Sequence, residues 1–198
     1  MPDAPLRMGR SRESELLDAV VEVLRETGYD RLTVDAVVAK ARASKTTVYR
    51  RWPTKSELVI AAVSHATNDL PVNADTGSLR DDLLIVLEGL RLELEGFGDL
   101  IPGLVSGARR DPELARAFRE NLVAPGRDGV LDILSRAKAR GELPADADID
   151  MLWRLPPAMM FLRLLITGEP LERDYVRHLV DDVVLPLAHA SRRSPDPA

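Results

Sequence analysis

Leu16, Leu17, Val20, Val23 and Leu24 recur at the three- and four-residue spacing of a single helical face, with charged residues between them. Gly28 supplies the end signal, so a first helix runs there from about Ser11–Ser14. Thr33 stands where it can cap a second helix, whose Val34, Val37, Val38 and Ala41 form an inner stripe. Ser44 can cap a third, which Pro53 closes. Thr54 with Glu57 three residues on is a capping box, opening a fourth helix from Lys55 to about Asp69. Pro71 to Gly77 reads as a linker, and Ser78 with Asp81 as another start signal. The remainder predicts helices near 79–96, 99–110, 112–139, 148–167 and 173–190. Asp111-Pro112 serves as a cap with a first-turn proline, Pro125-Gly126 kinks the long helix, and Gly141 and Pro144 stop it. There is no alternating strand pattern of useful length and no repeat. The expectation is all-α with about nine helices, in segments 11–71 and 78–190, flanked by a flexible arm at 1–10 and a disordered tail at 191–198.

Composition narrows the class. Of 198 residues, 45% are hydrophobic, 30% charged and 4% aromatic, a profile of helical proteins rich in Leu, Ala and Val. The absence of cysteine excludes disulfides and thiolate metal sites. The N-terminus lacks the apolar core of a signal peptide, and no apolar run approaches the ~20 residues of a membrane helix. The expected location is therefore cytoplasmic, with no membrane partner.

Charge changes the picture further. The net charge is −5, yet Lys40, Arg42, Lys45, Arg50, Arg51 and Lys55 fall in one sixteen-residue window without an acidic residue. Concentrated positive charge of this kind meets phosphate backbones whatever the base sequence. With Val48 at 0° on a helical wheel and ~100° per residue, Ser44 and Trp52 fall beside it and face inward. Thr46 and Arg50 fall directly opposite, with Thr47 and Tyr49 on the shoulders. Arg can grip guanine O6 and N7 with its fork, and Thr can donate, accept or touch a thymine methyl. Lys45, Tyr49 and Lys55 suit phosphates. Double-stranded DNA is the expected partner.

The residues Leu17–Tyr29, Thr33–Ala41 and especially SKTTVYRRWPTKSEL, Ser44 to Leu58, resemble the DNA-binding domain of the TetR family, tetracycline-repressor-like bacterial transcription regulators. The distinctive motif spans about Leu16 to Val63. The resemblance implies that 11–71 is a helix-turn-helix reading head and 78–190 a helical ligand-binding and dimerisation domain. It implies a homodimer on a palindromic operator and release by a small-molecule inducer, with no cofactor. It places Thr33 at a phosphate, Lys45, Thr46, Thr47 and Arg50 on the recognition helix, and Tyr49 and Lys55 at phosphates. Ser44 and Arg51 flank that surface. Arg42 stands where the family turn usually carries Gly, which implies a non-Gly residue at positive φ and a possible extra phosphate contact.

On this reading the dimer surface is expected on the last two long helices, at Leu155, Met159, Leu162 and Ile166, and at Tyr175, Leu179, Asp182, Val183 and Pro186. Candidate walls for a hydrophobic or aromatic ligand are Phe97, Leu100, Leu104, Phe118, Leu122, Trp153, Met160 and Phe161, with Arg109 as an anion partner. Nothing supports catalysis or a metal. His178 and His189 lie ~16 Å apart along one helix, acidic pairs such as Asp81-Asp82 read as solvated or interfacial, and no hydrolase, phosphate-loop or zinc motif occurs.

Overall fold

Seven side chains start helices by accepting a backbone N–H three residues on. In the computed structural model, which describes residues 11–67 and 70–190, these are Ser11, Thr33, Ser44, Thr54, Ser78, Asp111 and Asp148. Each satisfies one of the four orphan N–H groups at a helix start. The elements are α1 (Arg12–Arg31), α2 (Val34–Ala41), α3 (Lys45–Arg51), α4 (Lys55–Thr67), α5 (Leu79–Phe97), α6 (Ile101–Ala108), α7 (Pro112–Phe118), α8 (Ala124–Ala139), α9 (Ile149–Phe161), α10 (Arg173–His178) and α11 (Leu185–His189). No strand occurs among the described residues. The expected arm at 1–10 and tail at 191–198 lie outside them.

Three of the expected rods are continuous but change pitch. Wider π-helical stretches occupy Arg119–Val123, Leu162–Thr167 and Leu179–Val184. Two of them run up to a proline, Pro125 and Pro186, which lacks an N–H and whose ring crowds the carbonyl four residues back. The chain widens there instead of breaking. Gly28 interrupts the hydrogen bonding of α1 at φ +74°, the left-handed region that glycine reaches without steric cost, and Tyr29–Arg31 form a separate final turn.

Two compact units are present. Among the described residues, the first comprises 11–67 with 103–121, and the second 70–102 with 122–190. Thus α6, from Gly103, and α7 belong with the N-terminal helices, where a single boundary near residue 72 was expected. The reason is packing: α7 lies on α4, and Leu104, Leu114 and Ala117 are buried with Leu17, Val20, Leu24, Leu58, Val59 and Ala62. α1 and α4 form the main pair of this unit, and α2 and α3 each bury a valine, Val37 and Val48.

In the second unit α5 packs on α8, α9 and α10, burying Leu83, Leu87, Leu94, Ile133, Leu134, Leu152, Met160, Val176 and Val180. The segment 70–78, expected as a plain linker, is fastened to it. Arg136 donates to the Asn73 side chain and the Ala74 carbonyl, and Thr76 donates twice to Asp82 Oδ1 at 2.6 and 2.7 Å. Asp82, expected to be solvated or interfacial, is fully buried within the chain where it accepts from Thr76. Glycines let the chain pass closely: a Cβ on Gly129 would stand 1.8 Å from the Val72 carbonyl oxygen, and one on Gly89 2.9 Å from that of Pro71.

A Gly129→Ala exchange must displace backbone, so it is expected to destabilise the protein by ~1–3 kcal/mol. Gly126→Ala, on the same helix with nothing within 4 Å, should be neutral or stabilising by ~0.5–1 kcal/mol. Thermal melts followed by circular dichroism check both, and equal melting temperatures for the two variants would refute the packing account.

Candidate nucleic-acid interface

The reading surface is built from two short helices joined by a tight turn. α2 ends when Arg42 enters the left-handed region at φ 50°, ψ 42°, and the Ala43 N–H closes on the Val38 carbonyl at 3.0 Å. Arg42 is the one described non-glycine residue at positive φ, and its carbonyl accepts from the Arg12 guanidinium at 2.7 Å. Ser44 then opens α3: its hydroxyl oxygen accepts from the Thr47 N–H and lies 2.8 Å from the Thr47 hydroxyl. Val48 is fully buried beneath, while Thr46, Thr47, Tyr49 and Arg50 are exposed. Among the described residues, neither Thr46 nor Arg50 has a side-chain hydrogen-bond or ion-pair partner.

The wheel thus gave the outward face correctly and the inward one in part. Ser44 is exposed, because its hydroxyl must turn to the helix start to cap it. Trp52 is half-buried, with the Arg51 guanidinium 5.4 Å from its ring centre. Arg51 also pairs with Glu13 at 2.6 Å. Lys45 pairs with Asp35 of α2, which raises its pKa. Thr33 is exposed and caps α2 through the Ala36 N–H. Lys55 is half-buried: it donates to the Tyr29 carbonyl at 2.9 Å and lies 4.3 Å above the Tyr29 ring. Glu57, expected to complete a capping box, instead pairs with Arg116 of α7 at 3.2 Å.

Beneath this surface Tyr29 ties four helices together, a feature that no periodicity reveals. Its hydroxyl donates to Asp111 Oδ2 at 2.5 Å and lies 2.8 Å from the Ser56 hydroxyl, which itself donates to the same carboxylate oxygen at 3.1 Å. The other oxygen of Asp111 accepts the Glu113 and Leu114 N–H groups and so starts α7. A Cβ on Gly107 of α6 would stand 2.9 Å from the Tyr29 ring. Burial and the Asp111 hydrogen bond push the Tyr29 phenol up to about 12. The same Tyr29 bond, with those from Ser56 and the backbone, lowers the Asp111 pKa. Asp111 was legible as a cap, but its partners at 29 and 56 were not.

In the second unit the expected dimer residues divide. Leu162 and Ile166 are 54% and 76% exposed, Pro186 and Asp182 are exposed, and Leu155, Met159, Tyr175 and Val183 are half-buried. Leu179 is fully buried within the chain and is withdrawn from the candidate surface: the π-helical stretch it opens turns it into the core. The expected ligand walls also divide. Phe97, Leu100, Leu122, Trp153, Met160 and Phe161 lie in the second unit, whereas Leu104, Arg109 and Phe118 belong to the first. Leu104 is core there and Arg109 is exposed. A cleft of about 720 Å³ in the first unit, lined by Glu13, Arg51, Trp52, Glu57, His65 and Arg116 among others, includes none of the expected walls. His65 meets the Ser14 hydroxyl, His178 the Asp182 carboxylate and His189 the carbonyl of Leu185. Among the described residues no cluster could hold a metal, and no helix is long and apolar enough to cross a membrane.

A capped pair of short helices, with one buried anchor and an outward basic, hydroxylated face, defines a helix-turn-helix DNA-binding transcription regulator. Residues 16–62 match the family of bacterial regulatory proteins, tetR family, and residues 73–183 the tetracyclin repressor-like C-terminal domain. The chain belongs to the TetR family. It is 43% identical over 175 residues to an uncharacterized HTH-type transcriptional regulator of Mycobacterium tuberculosis, covering 88% of this chain and 87% of that one. It is 38% identical over 187 residues to the DNA-binding transcriptional repressor TetR of Mycobacteroides abscessus, covering 93% and 98%. Among solved structures, the TetR family transcription regulator SCO0332 superposes with a TM-score of 0.72 at 31% identity, covering 88% of this chain and 97% of that one.

Tyr29→Phe removes the donor to Asp111 and is expected to cost ~1–3 kcal/mol at neutral pH. Because the folded-state pKa is raised, the wild-type advantage is complete below pH ~10. It is lost as the pH climbs toward the folded value of about 12. Urea unfolding of both proteins between neutral and strongly alkaline pH checks this: a gap that stays constant would refute it.

Proposed function

We propose that this chain is a homodimeric repressor that acts in the cytoplasm, binds a palindromic operator through α3 and leaves it when a small hydrophobic molecule binds the second unit. The carrying observation is the face of α3, where Thr46 and Arg50 stand exposed opposite the buried Val48. Arg50 reads a guanine through its fork and Thr46 an adjacent base. Thr33, Arg42, Lys45, Thr47, Tyr49 and Lys55 then serve phosphates or orient the helix. Ser44 acts as the cap of α3, and Arg51 as a brace to α1.

One such head touches too few base pairs for genomic specificity, so a second copy is needed, with recognition helices ~34–36 Å apart on successive major grooves. The exposed Leu162 and Ile166, continuous with Met159 and Leu155 on one helical stripe, suit that pairing. The repressor reading is supported by the relative of that name, and the ligand reading by the tetracyclin repressor-like C-terminal match. Phe97, Leu100, Leu122, Trp153, Met160 and Phe161 supply apolar, adaptable walls in one unit. A ligand that favours the DNA-incompetent form by ~2–3 kcal/mol weakens operator binding some 30- to 150-fold.

Selection of bound sequences from a random duplex pool is expected to return a palindrome with half-sites about one helical turn apart. Arg50→Ala should then relax preference at one base pair per half-site, costing ~1–3 kcal/mol in affinity. Uniform binding across sequences, or an Arg50→Ala protein with unchanged preference, would sink the assignment. For the dimer, Leu162→Glu with Ile166→Glu should shift sedimentation from dimer to monomer while leaving helix content intact. A dimer that survives both changes places the interface elsewhere.

A further inference from the structure

Six cations fill the window from Lys40 to Lys55, yet most of them are already engaged. Lys40 meets Glu22 at 3.0 Å and Glu26 at 2.6 Å, Arg51 meets Glu13, and Lys45 meets Asp35. Lys55 is turned to the carbonyl and ring of Tyr29. Of these six, Arg42 and Arg50 alone are guanidinium groups without an acidic partner among the described residues. Four carboxylates from α1 and α2 therefore stand against six cations, at the surface assigned to DNA.

Asp35 is the most pointed case. It lies in the first turn of α2, two residues from Thr33, and reaches the first residue of α3. Both its side chain and that of Lys45 are more than half exposed. An exposed pair of this kind adds little to folding and is readily exchanged. Its consequence is for the partner, because a carboxylate beside Lys45 repels any phosphate that Lys45 would approach, whatever the base sequence.

We propose that Asp35 is a specificity-determining residue: it acts as an internal counter-ion for Lys45 and depresses sequence-independent DNA affinity, so that the unpaired Arg50 decides which duplex is held. The pairs of Lys40 and Arg51 extend the same screen. This rests on the assignment of α3 as the reading helix. The physical basis is additive: the carboxylate lowers the effective charge brought to the backbone on every duplex alike. Base contacts by Arg50 and Thr46 are gained only on the correct one.

The test uses the full chain, its selected operator and a scrambled duplex of equal length, with binding followed by fluorescence anisotropy over a range of salt. Asp35→Asn is expected to raise affinity for the scrambled duplex several-fold at low salt and to narrow the ratio of operator to scrambled affinity. It should also steepen the plot of log affinity against log salt by about one unit of slope. Lys45→Ala should cost more affinity in the Asp35→Asn background than in wild type. Asp146→Asn, an exposed carboxylate of the second unit, should change none of these. The inference is overturned if Asp35→Asn leaves slope and ratio unchanged, if it weakens both duplexes, or if Asp146→Asn has the same effect. If Arg50→Ala and Lys45→Ala change nothing in either background, the assignment of α3 itself fails, a separate result. Circular dichroism melts confirm that each variant is folded.

Discussion

The hydroxyl of Tyr29 is the point on which the reading unit turns. Gly28 breaks α1 in the left-handed region and lets the chain swing Tyr29 inward. From there one side chain reaches Ser56 at the start of α4 and Asp111 at the start of α7, and its ring lies against Gly107 of α6. A buried phenol needs a partner, and a carboxylate that already caps a helix is a strong one. Helices separated by some eighty residues of sequence are thereby fixed relative to Lys55, whose ammonium rests on the same ring.

That fixity matters because the helices that read DNA cannot hold themselves. α2 has 8 residues and α3 has 7, well below the length at which an isolated helix is stable in water. Caps at Thr33 and Ser44 define where they begin, and the packing of α2 on α1 and α3 with the burial of Val37 and Val48 supplies the stability. The turn between them is held in an unfavourable left-handed state at Arg42, with Arg12 gripping its carbonyl. A rigid frame thus presents Thr46 and Arg50 without consuming their polar groups. A recognition helix requires this arrangement, since a side chain already satisfied within the protein gains little from a base.

Electrostatics works in the opposite sense to the first impression of charge. The window from Lys40 to Lys55 is basic as a string, but in space it is interleaved with carboxylates from α1 and α2. The second unit uses its ion pairs differently. Arg91, nearly buried, joins Glu88, Glu95 and the carbonyl of Leu171, while Arg136 and Asp82 pin the segment 70–78. Those groups are internal fasteners. Arg91 is satisfied by Glu88 and Leu171, whereas Asp82 Oδ2 and Arg136 Nε have no hydrogen-bond partner among the described residues and meet only the opposite charges of Arg140 and Asp75.

Local interactions were legible in the sequence because they span three or four residues. The caps at Thr33, Ser44, Thr54, Ser78 and Asp111, the break at Gly28 and the exposed Thr46 and Arg50 all follow from spacing along one helix. The family motif rests on that same short-range pattern. The tertiary structure alone decided what depends on distant contact. It joined Tyr29 to Ser56 and Asp111, drew α6 and α7 to the N-terminal helices, buried Leu179 and Asp82, and turned Ser44 outward. It also required bare backbone at Gly89 and Gly129, where another strand of chain passes. A periodicity states which face of a helix is apolar, whereas only packing chooses the element that covers it.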